Sequence, residues 1–134
     1  MKRVTAFALF FICTMCLANG SGVDVEITDG NSLQSALAAV DRGTHGEQLS
    51  GLDEARGFYA LGYLRAWLGS SKIWSTLASP NMVSLPNHIP IGQVAQVVQK
   101  YLREHPESLH ETADGLVFTA LAASFPPSGQ VNAK

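Results

Sequence analysis

Val94, Val97, Val98, Tyr101 and Leu102 fall at i, i+3, i+4, i+7 and i+8. That spacing lines one side of an α-helix with apolar side chains, and the side must be buried against something. The stretch between the breakers Pro90 and Pro106 is therefore predicted to be a helix over Ile91 to Glu104. Gln93, Gln96, Gln99, Lys100 and Arg103 should face outward, the two cations suiting the negative end of the helix dipole. Pro106 is suited to the first position of a following helix, with Glu107 in its first turn. Leu109, Ala113, Leu116, Val117, Ala120 and Leu121 then form a second buried stripe, closed by Phe125-Pro126-Pro127.

Upstream, Leu49, Leu52, Ala55, Tyr59, Tyr63 and Trp67 recur at near-helical spacing. Phe58, Leu61, Leu64 and Leu68 widen that stripe. A helix from about Glu47 to Leu68 follows, apolar over so much of its surface that contacts on more than one side are expected. Gly57 and Gly62 each cost it roughly 1 kcal/mol against alanine, which a close approach of another backbone would explain. A first helix, Leu33 to Val40, is capped by Asn31 or Ser32. Val23, Val25 and Ile27 alternate with polar residues, but a single strand here has no partner. Residues 70–90 hold Pro80, Pro86 and Pro90 and form a long irregular connection. The expected fold is all-α: a small bundle of about four helices with a long irregular connection before the third. Its core should include Tyr63, Val94, Val98, Tyr101, Leu102, Leu116 and Leu121.

The N-terminus obeys different rules. After Met1-Lys2-Arg3, residues Val4 to Ala18 carry no charge. A basic start, a short apolar run and small residues after it form the pattern of an export signal. Cleavage is expected after Ala18 or Gly20. The run is shorter than the ~20 residues that span a bilayer, so no stable membrane anchor is expected. The implied divisions are 1–18 signal peptide, 19–31 flexible leader, 32–127 helical domain and 128–134 tail. Cys13 and Cys16 are the chain's two cysteines. Their removal leaves a domain that must fold without disulfides and without thiol chemistry. Losing Lys2 and Arg3 from nine basic residues leaves seven against eleven acidic, a net charge of −4. Such a balance disfavours nucleic acid, which needs a positive surface to meet phosphates.

No catalytic motif is present. His105 and His110 are five residues apart, about 500° of helix rotation, so they do not stack as metal ligands. Glu107 and Glu111, an i,i+4 carboxylate pair, suit a solvated helix face. No metal, cofactor or enzymatic activity is expected. What remains is binding. Within Ser79 to Pro90, the residues Asn81, Asn87 and His88 offer polar contacts to a partner, with Met82, Leu85 and Ile89 as apolar ones. The same three apolar side chains can instead fold back into the core. Glu107 and Glu111 are the second candidate surface.

The second half also carries a recognisable order of residues. Ile91-Gly92-Gln93-Val94 is followed by Lys100-Tyr101-Leu102-Arg103-Glu104-His105-Pro106-Glu107, then by His110, Ala113, Ala120-Leu121 and Phe125-Pro126, with Gly62-Tyr63-Leu64 upstream. Over roughly residues 57–127 this resembles the Rap1a/Tai family of immunity proteins. The resemblance implies a small all-helical periplasmic protein of Gram-negative bacteria. Its partner would be a type VI secreted effector toxin, often a peptidoglycan amidase. It also implies a homodimer. Members usually carry cysteines where this chain has Ser84 and Pro127, and others near Leu37 and Ala60, so the family's bridges are missing and the loop around residues 78–90 should be looser. Two other readings stand beside this one: a periplasmic helical binding protein with a non-toxin envelope client, and a small hydrolase.

Overall fold

The computed structural model describes residues 25–77 and 83–126. The expected signal peptide, the first part of the expected leader, the expected tail and Asn81 and Met82 lie outside them. Four α-helices form an all-helical bundle: α1 (Gly30–Thr44), α2 (Gly51–Leu77), α3 (Ile91–Glu104) and α4 (Ala113–Ser124). A 3-10 turn, Pro106–Ser108, separates the last two. α1 packs most extensively on α2, and α3 on α4. Leu33, Leu37, Leu64, Val94, Val98, Leu102, Leu116 and Leu121 interlock at the centre, each with 0–1% of its surface exposed.

α1 begins three residues earlier than its apolar stripe suggested. Asp29, rather than Asn31 or Ser32, is the N-cap. Its carboxylate accepts the Ser32 N–H at 2.8 Å, and the Ser32 hydroxyl accepts the Asp29 N–H at 3.1 Å. This reciprocal box satisfies two of the donors that a helix start leaves open. The end of the leader is thus part of the domain, and Ile27 is buried in the core.

The Ser32 N–H and hydroxyl also hold the Asp29 carboxyl below its ordinary range. A carboxyl depressed by folding stabilises the fold above its unfolded value near 4 and loses that contribution as pH falls through its folded value. The melting midpoint should therefore drop as pH is lowered from about 5 to about 3. Asp29→Asn, which still caps but does not titrate, should have a shallower drop. Identical acid profiles for the two proteins would refute the assignment.

The same seam corrects the start of the fourth helix. Pro106 opens only a 3-10 turn, and α4 starts at Ala113. The carbonyls between them are claimed by α1: Gly30 N–H donates to Glu111 O at 3.1 Å and Asn31 N–H to Leu109 O at 3.2 Å. In return Ala113 N–H, at the start of α4, donates to Thr28 O at 3.1 Å. Each helix start is capped by the chain leading into the other. Asp29 and Thr112 form one antiparallel bridge there, so the leader does find a partner, for a single pair. Leu109 consequently packs against the core from the turn rather than from α4.

α2 runs on to Leu77, beyond the expected end at Leu68. Gly69-Ser70-Ser71 does not break it: the Ser70 and Ser71 hydroxyls donate to the carbonyls of Ala66 and Leu68 within the same helix. One side of α2 is buried, through Gly57, Ala60, Leu64 and Leu68, and Gly57 lies against the backbone of Ala39 and Val40. α1 and α3 both pack on α2, the contacts on more than one side that its wide apolar stripe implies, while among the described residues nothing buries Leu52, Phe58, Tyr59 and Ile73 on its opposite side.

On α3 the buried arc is Val94, Ala95, Val98, Gln99 and Leu102. At about 100° per residue, that arc is turned toward Ala95 and Gln99 relative to the apolar stripe. Gln99 is buried, not outward-facing, because α3 is wedged between α4 and the α1–α2 pair. Tyr101 sits at the arc's edge, half-buried, as Tyr63 does on α2. Both line the core rather than fill it. Val98→Ala is expected to destabilise by about 1–3 kcal/mol through lost contact and a residual cavity. Exposed Gln96→Ala should change little, and chemical denaturation of the two variants checks the pair.

Candidate functional site

The loop before α3 is held down at several points. The Ser84 N–H donates to the carbonyl of Phe125 at 3.1 Å, tying the loop to the end of α4. Val83, Leu85 and Ile89 are half-buried and pack against the core. So Leu85 and Ile89 take the fold-back option, and they leave Asn87 and His88 as the exposed tip of a turn. The hydrogen bond at Ser84 supplies a tie at a position where the resemblance places a cysteine. Leu37 and Ala60, near two more of the four missing cysteines, are core residues.

Between this turn and the second half of α2 lies a cleft of about 550 Å³, lined by Arg65, Leu68, Gly69 and Lys72 on one wall and Leu85 to Pro90 on the other. Leu68, Leu85 and Ile89 give it an apolar floor. Arg65, Lys72 and His88 put basic nitrogens around it, and among the described residues no carboxylate lines it. Arg65 and Lys72 are seven residues apart and share one flank of α2, about two turns from each other. The sequence did not mark the two as a pair, because with a helix ending at Leu68 Lys72 would not share a flank with Arg65.

The second candidate surface is elsewhere. Glu107 and Glu111 are exposed around the turn after α3, while Asn87 and His88 precede its start. The 14 residues of α3 separate the two groups by about 20 Å. They are two surfaces, not one site. Glu107 pairs with His105 Nδ1 at 3.1 Å, and hydrogen bonds from its own backbone N–H and from His105 lower its carboxyl from the ordinary value. The His105 ring also lies 4.3 Å from that of Tyr101, tilted by 35°. The His-Pro-Glu run thus builds the joint between α3 and α4. A related joint links α2 to α4, where the Tyr63 hydroxyl donates to Asp114. Burial first, then the Asp114 carboxylate, push that hydroxyl well above the ordinary tyrosine value, so it stays a neutral donor.

Among the described residues no group of His, Cys, Asp and Glu is arranged to hold a metal ion. None of their helices is long and apolar enough to cross a membrane. No curated relative and no solved structure matches the chain. The pattern that defines the Rap1a immunity proteins matches residues 30–127. That span starts at the first residue of α1, takes in all four helices and both joints, and ends just past Phe125-Pro126. A match over most of the chain, beginning and ending with the folded bundle, assigns it: the protein belongs to the Rap1a family of immunity proteins.

Proposed function

We propose that this protein is a periplasmic immunity protein that binds a type VI secreted effector and neutralises it by occlusion. The family match across the whole bundle carries the reading. The basic N-terminus with its short apolar run supports export. The Rap1a/Tai resemblance points to a peptidoglycan amidase as the target, and an inhibitor that blocks an active site needs no catalytic group of its own.

The surface we assign to the effector is the turn at Asn87 and His88 with the cleft behind it. Its exposed polar tip stands on a clamped apolar base, and the Arg65 and Lys72 wall suits an acidic or polar protrusion from a partner. Calorimetric titration against the effector encoded beside the gene tests this. Replacing Asn87 and His88 together by alanine should weaken binding tenfold or more, about 1.4 kcal/mol, with the melting curve unchanged. Unchanged affinity would move the interface to Glu107 and Glu111. Co-expression with the effector in the periplasm should rescue growth. Failure to rescue, with specific capture of another envelope protein, would favour a non-toxin client.

A further inference from the structure

Across the chain eleven acidic side chains outnumber nine basic ones, yet the cleft between α2 and the Asn87–His88 turn reverses that sign. Arg65 and Lys72 stand on one wall and His88 on the other, with no carboxylate among the described residues that line it. Elsewhere Arg42 holds Glu47 and Asp53, and Lys100 reaches Glu104. Among the described residues no carboxylate pairs with Arg65.

Gly69 lies in the wall between the two cations. A side chain placed on it would meet nothing within 4 Å. No packing among the described residues calls for glycine there, and glycine weakens a helix relative to alanine. Its missing side chain lowers the wall, so an incoming backbone can come close to α2. The facing wall is stiff. Pro86 and Pro90 fix their own φ angles, and Leu85 and Ile89 are packed on the core. A cleft that is formed before its occupant arrives spares the cost of ordering it on binding.

We infer that this cleft seats an acidic loop of the effector, with one carboxylate on Arg65, a second on Lys72 and an aliphatic side chain between them on the floor of Leu68, Leu85 and Ile89. Resting on the proposed immunity function, this makes the complex interlock: the turn at Asn87 and His88 reaches into the effector, and a loop of the effector reaches back into the cleft behind that turn. The spacing sets the pattern of the loop. Seven residues of helix put the two cations about 10 Å apart, the span of about three residues of extended chain. The loop therefore carries acidic residues about three apart with an aliphatic one between them. The cations repel a basic loop, and the apolar floor rejects a wholly charged one, whose central charge would lose water without gaining a partner. α3 opens beside the cleft with no acidic residue in its first turn, so its dipole adds to the same sign.

Carbodiimide coupling tests the contact directly, because it joins an amine to a carboxylate that touches it. Downstream of the expected signal peptide the chain has three lysines, Lys72, Lys100 and Lys134. In the complex with the effector encoded beside the gene, Lys72 should couple to an aspartate or glutamate of the effector, read by mass spectrometry of the digest. Lys72→Arg should abolish the coupling and keep the binding. Arg65→Glu, Lys72→Glu and Gly69→Leu, which fills the cleft, should each weaken binding about tenfold or more in calorimetry, with the melting midpoint not lowered. Lys100→Glu, on α3, should change affinity little. Lysine in place of the coupled effector carboxylate should weaken binding, and Lys72→Glu should then restore it. A wild type that does not bind the effector would overturn the function and the inference together. Binding that gives no coupling at Lys72, or that withstands both Arg65→Glu and Gly69→Leu, would leave the function standing and overturn the inference alone.

Discussion

Gly30→Ala is expected to destabilise the protein by about 3 kcal/mol, although alanine is the better helix former. A methyl at position 30 would lie 2.6 Å from Leu116 Cδ1, 2.8 Å from Leu109 Cα and 2.9 Å from Leu109 O. The leucine methyl group can move, but the Leu109 backbone is pinned. Its carbonyl accepts both the backbone N–H of Asn31 at 3.2 Å and the Asn31 side-chain amide at 3.0 Å. Relief therefore requires opening the seam between the start of α1 and the turn before α4, with loss of the Gly30-to-Glu111 hydrogen bond. For a domain of this size the melting midpoint should fall on the order of 10–20 °C. Gly57→Ala is the control. A methyl there would meet Val40 Cγ2 at 3.4 Å, an ordinary contact, and stability should change by less than about 1 kcal/mol. Equal melts for Gly30→Ala and wild type would show that the seam is not closed as described.

The second large effect is expected on α2, where residue size misleads. Leu64→Ala should cost about 2–5 kcal/mol, because Leu64 is fully buried and its removal leaves a cavity between α2 and its neighbours. Phe58→Ala removes a larger side chain from the same helix but should stay within about 0.5 kcal/mol. Phe58 is 73% exposed and contributes little to the folded monomer. Both are measured by urea denaturation at low protein concentration, where association adds nothing to apparent stability. A large loss for Phe58→Ala under those conditions would mean that this side of α2 is covered within the chain.

The all-helical bundle was legible because its periodic residues are also its core: Val94, Val98 and Leu102 on α3, and Leu116 and Leu121 on α4. The misreadings have separate physical causes. Gln99 is polar by type and buried by position, since α3 is wedged between neighbours that its own sequence does not reveal. The start of α4 was placed too early because Pro106 and Glu107 are good helix openers. Tertiary hydrogen bonds to Gly30 and Asn31 take the carbonyls that a continuous helix would use. At α1 the local signal was present in Asp29 and Ser32, but Gly30 beside them disguised it. The candidate binding residues Asn87 and His88 were readable as a polar turn between prolines. Their basic wall was not, because it depends on α2 extending past Gly69.

The seam between Thr28–Asn31 and Leu109–Ala113 also bears on when the fold is able to close. It joins segments about 80 residues apart, one at each end of the bundle. Contacts of such separation raise the contact order and slow folding of an otherwise local helical topology. A chain emerging from its N-terminus can pair α1 with α2 early, but the α1 start keeps unsatisfied donors until Leu109 and Glu111 have followed. Fragments that stop short of Leu109 should therefore remain loosely collapsed helices, and native packing should arrive in one step when the last helix is released.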